Sequence, residues 1–235
     1  MRRARKRLMN PPRLLESNVF SDLCTVNIRA SGFVCEGIMA RAKRPDHTLP
    51  GRLRIVAGKW RSRVLPIIDE PALRPTSERI RETLFNWLAP TTQGARCLDL
   101  FAGTGALGIE ALSRGAAHVV FIEKSATLAA GIRTALQQLE AKNAKVCERD
   151  ATDYLKNAEP EPFDIVFLDP PFNTRLLGEA CSLLQKYGWL TANTIVYLEQ
   201  SKDSEKVALP DDWAVSHEKV AGKVSYSLAS TGTPT

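Results

Sequence analysis

The chain has 235 residues, 44% apolar and 25% charged, which is the composition of an ordinary globular protein. No apolar run approaches the roughly 18 residues of a membrane-spanning helix, and the basic N-terminus is not followed by the apolar segment of a secretory signal, so we expect a cytoplasmic protein. The five cysteines are scattered, which suits a reducing compartment better than a disulfide framework or a zinc site, and we expect no metal.

Positive charge is concentrated toward the N-terminus. Residues 1–63 carry 15 Lys and Arg against 4 Asp and Glu, whereas the other 172 residues carry 17 against 22. A basic arm on a mildly acidic body is typical of a protein that binds a polyanion, and a solubilising tail is the alternative. Residues 1–50 show no sustained hydrophobic period, and we expect them to form a disordered basic extension.

From residue 51 the hydrophobic pattern becomes regular. Apolar and basic residues alternate on both sides of Gly58 and Lys59, which predicts a β-hairpin and a link within residues 51–75. Helical spacing then predicts a helix over 77–88, close to the start of a domain that spans 76–230.

Strands and helices alternate through the rest of the chain. The predicted strands are 97–101, 118–123, 145–149, 164–169 and 194–199, the predicted helices lie near 105–114, 125–141 and 175–187, and two late strands cover 213–219 and 223–229. Apolar strands between helices favour an α/β fold with a doubly wound parallel sheet, to which the closing hairpin adds an antiparallel edge strand.

A glycine-rich turn follows the first strand of this domain. Gly103, Gly105 and Gly108 satisfy G-x-G-x-x-G, and Glu123 ends the next strand. Such glycines let backbone N–H groups approach a ligand, and the helix N-terminus favours an anion, either a pyrophosphate or an amino-acid carboxylate. The spacing also matches the dinucleotide fingerprint, so an NAD-dependent oxidoreductase stays open.

Acidic residues occur near four successive strand ends. Asp99, Glu123, Asp150 and Asp169 are therefore expected to line one crevice at the carboxyl ends of the parallel strands. Four carboxylates suit a cofactor with a sulfonium and an ammonium group better than a pyrophosphate dianion. The pattern favours S-adenosylmethionine as the cofactor.

The stretch "FLDPPF" ends the fourth of these strands with Asp169, Pro170, Pro171 and Phe172. Two prolines form a rigid corner, because proline fixes its own φ and cannot donate to a sheet. If the methyl acceptor is an exocyclic amine, the Asp169 carboxylate and the Pro170 carbonyl can accept its two N–H groups, and Phe172 can stack on the base. A carboxylate matches the adjacent donors of guanine better than the edge of adenine, although a nucleic-acid adenine-N6 methyltransferase stays open.

Four stretches together resemble the RsmD family of bacterial 16S rRNA guanine-N2 methyltransferases: "RPTSERIRETLFNWLAP", "CLDLFAGTGALGIEALSRGA", "DIVFLDPPF" and "EKVAGKVSYSL". The resemblance runs from about residue 51 to 228. It implies a class I methyltransferase fold and methyl transfer from S-adenosylmethionine to N2 of one guanine in 16S rRNA. It also implies that the substrate is the 30S subunit or its assembly intermediate. An RNA-binding assembly factor without catalysis is the further alternative.

The resemblance also implies roles for individual residues. Asp169, Pro170, Pro171 and Phe172 match the catalytic motif. The residues expected at the cofactor are Arg74, Thr76, Asp99, Phe101, Gly103, Gly105, Glu123, Lys124, Asp150 and Ala151.

The hairpin is expected to hold RNA phosphates while Trp60 either stacks on a base or packs in the core. The phosphate-binding residues would be Arg52, Arg54, Lys59, Arg61 and Arg63. We expect no membrane partner and a monomer.

Overall fold

The computed structural model describes residues 51–68, 76–172 and 174–232. The predicted extension 1–50 and the predicted cofactor residue Arg74 lie outside these ranges. Across the part of the chain that the structure describes, no helix combines the length and apolarity needed to cross a membrane.

The strands and helices follow the predicted alternation. The strands are β1 Gly51–Arg54, β2 Val64–Ile67, β3 Arg96–Asp99, β4 His118–Glu123, β5 Ala144–Glu148, β6 Phe163–Leu168, β7 Leu190–Ser201, β8 Ala214–Ala221 and β9 Val224–Ser230. The helices are α1 Glu78–Trp87, α2 Ala89–Thr92, α3 Ala106–Ser113, α4 Ala126–Gln138, α5 Ala151–Asn157 and α6 Leu176–Lys186.

Seven strands form one mixed sheet in the order β5-β4-β3-β6-β7-β9-β8. The first five in this order run parallel, β9 pairs antiparallel with β7, and β8 pairs antiparallel with β9 at the edge. Strands β1 and β2 form a separate antiparallel hairpin. The predicted α/β fold, with its antiparallel addition and its N-terminal hairpin, is confirmed.

Each face of the sheet carries its own apolar core, because successive strand residues point to opposite faces. On one face α1, α3, α4 and the hairpin pack against residues such as Phe121, Ile165 and Tyr197. On the other face α5 and α6 pack against residues such as Leu98 and Val166. The two cores fix the sheet from both faces, so the carboxyl ends of its parallel strands lie together on one side of the protein.

The hairpin is fastened to α3 by Glu110, which is fully buried. Its carboxylate accepts hydrogen bonds from the backbone N–H groups of Val56 (2.9 Å) and Ala57 (3.0 Å). It also accepts from Arg81 Nη1 (3.1 Å) and Arg114 Nε (2.8 Å). A buried carboxylate without such donors would be very costly, so these four contacts make one interdependent unit.

A second set of contacts joins the connection between β1 and β2 to the end of α3. Lys59 N donates to the Ser113 carbonyl at 2.6 Å, and Trp60 N donates to Ser113 Oγ at 3.0 Å. Gly58 has φ +83°, and a Cβ there would lie 1.9 Å from the Ser113 carbonyl oxygen, so only glycine fits. Trp60 is 6% exposed and packs in the core, so its base-stacking alternative is wrong.

Candidate active site

The glycine turn lies between β3 and α3. Gly103 (φ +53°) and Gly105 (φ +76°) adopt left-handed conformations, and Gly105 is the N-cap of α3. Gly108 serves packing instead, since a Cβ there would lie 2.2 Å from the Phe121 ring. The first two glycines therefore shape a tight turn over the strand ends, and the third lets α3 lie close to β4.

Two of the predicted acids accept hydrogen bonds from backbone N–H groups of the glycine turn and of the start of α3. The buried Asp99 carboxylate accepts a hydrogen bond from Gly108 N at 3.0 Å. Glu123 accepts from Gly103 N at 2.7 Å and from Ser125 N at 2.8 Å. Burial raises the pKa of Asp99 to about 7; the Gly108 hydrogen bond opposes the shift and the charge of Glu123 adds to it. Both carboxylates keep lone pairs that these bonds do not use.

Asp150 follows β5, the strand next to the one that ends at Glu123, and it is the N-cap of α5. Its carboxylate accepts from Thr152 N at 2.9 Å and from the Thr152 hydroxyl at 2.8 Å. The Thr152 hydroxyl is the main cause that lowers the pKa of Asp150, and the nearby Lys124 contributes. Ala151 is buried, Phe101 is half-buried and Lys124 is exposed. An ionised Asp150 is therefore presented to solvent at the crevice edge.

Asp169 begins the corner that follows β6. It is half-buried, and its Oδ2 accepts a hydrogen bond from Thr76 Oγ1 at 3.1 Å, across 93 residues of sequence. Pro170 is buried, whereas Phe172 is 39% exposed. Burial, and then the charge of Glu199, raise the pKa of Asp169 well above its usual value, while the Thr76 hydroxyl opposes this shift. The corner thus offers one restrained carboxylate and one accessible ring.

Glu199 is an acid of this site that the sequence reasoning did not single out. It lies near the end of β7, is 4% exposed, and accepts a hydrogen bond from the Tyr197 hydroxyl at 2.6 Å. The parallel register pairs Leu168 with Leu198, so Asp169 and Glu199 follow at neighbouring positions. Glu199 ends the predicted strand 194–199, and the strand-end rule that identified the other acids would have identified it as well.

A cavity of about 260 Å³ opens beside the corner. The residues that line it include Pro170, Pro171, Phe172, Glu199 and Gln200. Among the described residues, including those at this cavity, no three His, Cys, Asp or Glu side chains come together in a way that could hold a metal ion.

The five predicted phosphate-binding residues of the hairpin are all exposed: Arg52, Arg54, Lys59, Arg61 and Arg63. Three of their side chains also contact the protein: Arg63 Nη2 donates to the Gln138 carbonyl at 2.9 Å, Lys59 Nζ lies 5.1 Å from the centre of the Trp60 ring, and Arg54 lies 3.9 Å from Glu78. An exposed ion pair such as that of Arg54 with Glu78 is weak and leaves the Arg54 side chain available to bind a phosphate.

The acidic groups at these strand ends fit S-adenosylmethionine as the cofactor. Asp99, Glu123, Asp150 and Asp169 lie at or just after the carboxyl ends of four parallel strands, and the charges of Asp99 and Glu123 repel each other. A pyrophosphate would add negative charge to this surface, whereas a sulfonium and an ammonium group would relieve the repulsion.

The strand order and the glycine turn, with acids at the strand ends, are those of a class I methyltransferase. The chain belongs to the family whose model is described as "Conserved hypothetical protein 95", which matches residues 53–230. The resemblance to the RsmD family is confirmed by its relatives, and the chain is an S-adenosylmethionine-dependent methyltransferase. The NAD-dependent alternative, which rested on glycine spacing and Glu123, is therefore wrong.

Two curated relatives and one solved structure illustrate the similarity. The Escherichia coli K12 protein named ribosomal RNA small subunit methyltransferase D is 46% identical over 186 residues, covering 79% of this chain and 93% of the relative. The Haemophilus influenzae protein of the same name is 45% identical over 181 residues, covering 76% and 93%. The structure of the putative methyltransferase yhhF from Escherichia coli has a TM-score of 0.73 and 42% identity, covering 78% of this chain and all of that one.

Proposed function

We propose that this protein transfers a methyl group from S-adenosylmethionine to the exocyclic N2 of one guanine in 16S rRNA. Its substrate is the 30S subunit or an assembly intermediate of it, and it acts where ribosomes are built, in the cytoplasm. The observation that carries the proposal is the Asp169–Phe172 corner beside an acid-lined crevice, with a half-buried carboxylate and an exposed ring. The names of the curated relatives support the choice of substrate.

The crevice would hold the methyl donor through groups of different character. The turn formed by Gly103 and Gly105 would let the backbone lie close to its amino-acid portion. Glu123 would accept from the ribose hydroxyls, and Asp150 from the adenine amino group. When bound, S-adenosylmethionine supplies an electrophilic methyl group on a positively charged sulfur.

The corner would orient the acceptor nitrogen. The lone pair of an exocyclic amine is delocalised into the ring, so the nitrogen is a weak nucleophile. The Asp169 carboxylate and the Pro170 carbonyl would each accept one N–H, which favours a pyramidal nitrogen with its lone pair directed toward the crevice. Because the Thr76 hydroxyl restrains Asp169, this arrangement exists before the base arrives, and catalysis is mostly positioning and electrostatics.

The remaining contacts would hold the RNA. Phe172 would stack on the extruded base, an interaction worth ~1–3 kcal/mol for a typical base and aromatic ring. The hairpin residues Arg52, Lys59 and Arg61 would bind phosphates and set the register without reading sequence. We propose that the protein acts as a monomer.

One assay tests the reaction and its substrate. Methyl-labelled S-adenosylmethionine is offered with naked 16S rRNA, with 30S subunits lacking the modification and with duplex DNA, and the labelled nucleoside is identified after digestion. We expect N2-methylguanosine from the ribosomal substrates only. N6-methyladenosine would instead support the adenine alternative, and no turnover on any ribosomal substrate would support the non-catalytic assembly factor.

A variant of Asp169 tests its assigned role in the same assay. Asp169→Ala should lower turnover by ~10²-fold or more, in the range of a lost transition-state contact, while binding of S-adenosylmethionine persists in calorimetry. Normal turnover by this variant would show that the Asp169 carboxylate does not orient the amine.

A further inference from the structure

Glu199 is placed beside Asp169 by the sheet itself. Strands β6 and β7 are parallel with Leu168 opposite Leu198, so the next residue on each strand is one of the two acids. Neighbouring strands lie about 4.8 Å apart, and residues at equivalent positions point to the same face. The two carboxylates therefore share one face at the end of the sheet.

The Glu199 carboxylate is only half satisfied by the protein. Its Oε2 accepts from the Tyr197 hydroxyl at 2.6 Å, which fixes the orientation of the group. The side chain is 4% exposed, and no described residue donates a hydrogen bond to Oε1. Glu199 lines the cavity of about 260 Å³ whose other walls include Pro170, Pro171 and Phe172. A carboxylate held in one orientation beside a cavity can accept a hydrogen bond from a ligand.

The cavity of about 260 Å³ has enough volume for one nucleobase. Its volume is close to the lower bound of roughly 300 Å³ for pockets that take drug-sized ligands, and a base is smaller than such ligands. Phe172, the ring assigned to base stacking, and Glu199 both line this cavity. Asp169 directly precedes the lining residue Pro170, so a base stacked on Phe172 and held by Asp169 would present a second edge group to Glu199.

We propose that Glu199 is a specificity-determining residue whose carboxylate accepts the N1–H of the target guanine while Asp169 and Pro170 hold its N2 amino group. The inference rests on the function proposed above and adds the group that distinguishes guanine. Guanine carries adjacent donors at N1 and N2, which match two adjacent acceptors. Adenine carries an unprotonated N1 next to its amino group, and this lone pair would face the carboxylate.

The mutual effect of the two acids strengthens this preference. Burial raises the pKa of Glu199 against the opposing hydrogen bond from Tyr197, and the charge of Glu199 in turn raises the pKa of Asp169. A ligand that donates to both carboxylates offsets the repulsion between them, whereas a ligand that donates to one leaves the other buried and without a partner.

The test uses a base that differs from guanine at the proposed contact. 2-Aminopurine keeps the N2 amino group but has an unprotonated N1. Small subunits are reconstituted with 16S rRNA that carries either guanosine or 2-aminopurine at the nucleotide identified by the labelling assay. We expect the wild-type enzyme to prefer guanosine by about 10- to 100-fold in kcat/KM, the range expected for one hydrogen bond to a charged group.

Glu199→Gln should change the ratio between the two substrates, because its amide can donate to the unprotonated N1. We expect kcat/KM for guanosine to fall by about tenfold and the preference for guanosine to narrow by at least the same factor. Glu205→Gln is the matched control: Glu205 lines the same cavity and is exposed, so the same chemical change there should leave the preference as in wild type. Binding of S-adenosylmethionine should be unchanged in both variants.

The outcomes separate the two levels of the proposal. If wild type forms no N2-methylguanosine, the proposed function fails and this inference fails with it. If wild type forms N2-methylguanosine and Glu199→Gln lowers kcat/KM equally for the guanosine and the 2-aminopurine substrates, only this inference is overturned. An equal loss on both substrates would mean that Glu199 stabilises the structure and does not select the base. Should Glu199→Gln not fold, Tyr197→Phe provides the test: it removes the hydroxyl that orients Glu199, the preference should narrow, and an unchanged preference overturns the inference.

Discussion

Replacing the buried Glu110 by glutamine should separate the hairpin from the methyltransferase body. Glu110 is fully buried and accepts from two backbone N–H groups and two guanidinium groups. Its partner Arg81 is 2% exposed and depends on it for its charge balance. A glutamine of the same size has one acceptor oxygen and no charge, so Arg81 would remain buried without a counter-ion.

The magnitude follows from the burial of the pair. Removing one partner of a buried ion pair typically costs about 3–5 kcal/mol, because the other charge is left uncompensated. For a domain of this size each kcal/mol lowers Tm by about 2–4 °C, so Glu110→Gln should lower Tm by roughly 6–20 °C. The backbone N–H groups of Val56 and Ala57, which lose an acceptor, should exchange hydrogen faster than those of the sheet.

Thermal and urea unfolding followed by circular dichroism measure the loss of stability and the fall in Tm. Hydrogen exchange measures the exposure of the Val56 and Ala57 N–H groups. Glu82→Gln is the matched control, since Glu82 is exposed on α1 and should change stability by less than about 0.5 kcal/mol. A loss of less than about 1 kcal/mol in Glu110→Gln would refute the reasoning, because the ion pair would then contribute no more than an exposed one.

Three further variants address the crevice and the RNA surface. Thr76→Val removes the hydroxyl that favours the ionised form of Asp169, so the pKa of that carboxyl should rise and the acid limb of the kcat/KM profile should move to higher pH; an unmoved limb would show that ionised Asp169 is not the active form. Glu123→Ala should weaken S-adenosylmethionine binding by about 10- to 100-fold in calorimetry, the value of a hydrogen bond to a charged group, and unchanged affinity would remove Glu123 from the cofactor site. Arg61→Ala should reduce the salt slope of RNA binding by about 0.7–0.9 if it contacts one phosphate. An equal slope in Arg61→Ala and wild type, with Lys142→Ala as an exposed control outside the hairpin, would exclude that contact.

Much of the fold could be predicted because its strands are continuous and apolar. The prediction 118–123 coincides with β4, and the predicted helix 105–114 exceeds α3 by one residue at each end. Helix α5 was not predicted. It has only seven residues, too few to show a sustained period, although Asp150 caps it and Ala151, Tyr154 and Leu155 give it a buried face.

In the site as well, features that depend on local sequence could be predicted, whereas contacts between residues distant in the sequence could not. The acids near strand ends could be predicted because parallel strands place their carboxyl ends together. The contact between Thr76 and Asp169 and the pairing of Arg81 with Glu110 join residues 93 and 29 positions apart, and no local period indicates them. Trp60 was ambiguous for a related reason, since only the packed hairpin shows which side of the ring is covered.

The third glycine of the turn has a consequence for how such motifs are interpreted. Any side chain at position 108 would collide with the ring of Phe121, which is part of the core and distant from solvent. Glycine is therefore required at this position by the close packing of one helix against one strand, whatever molecule occupies the groove above. Nucleotide-dependent dehydrogenases and methyl-transferring enzymes can share the same glycine spacing for architectural reasons, and the identity of the bound molecule has to be determined from the charged groups around the turn.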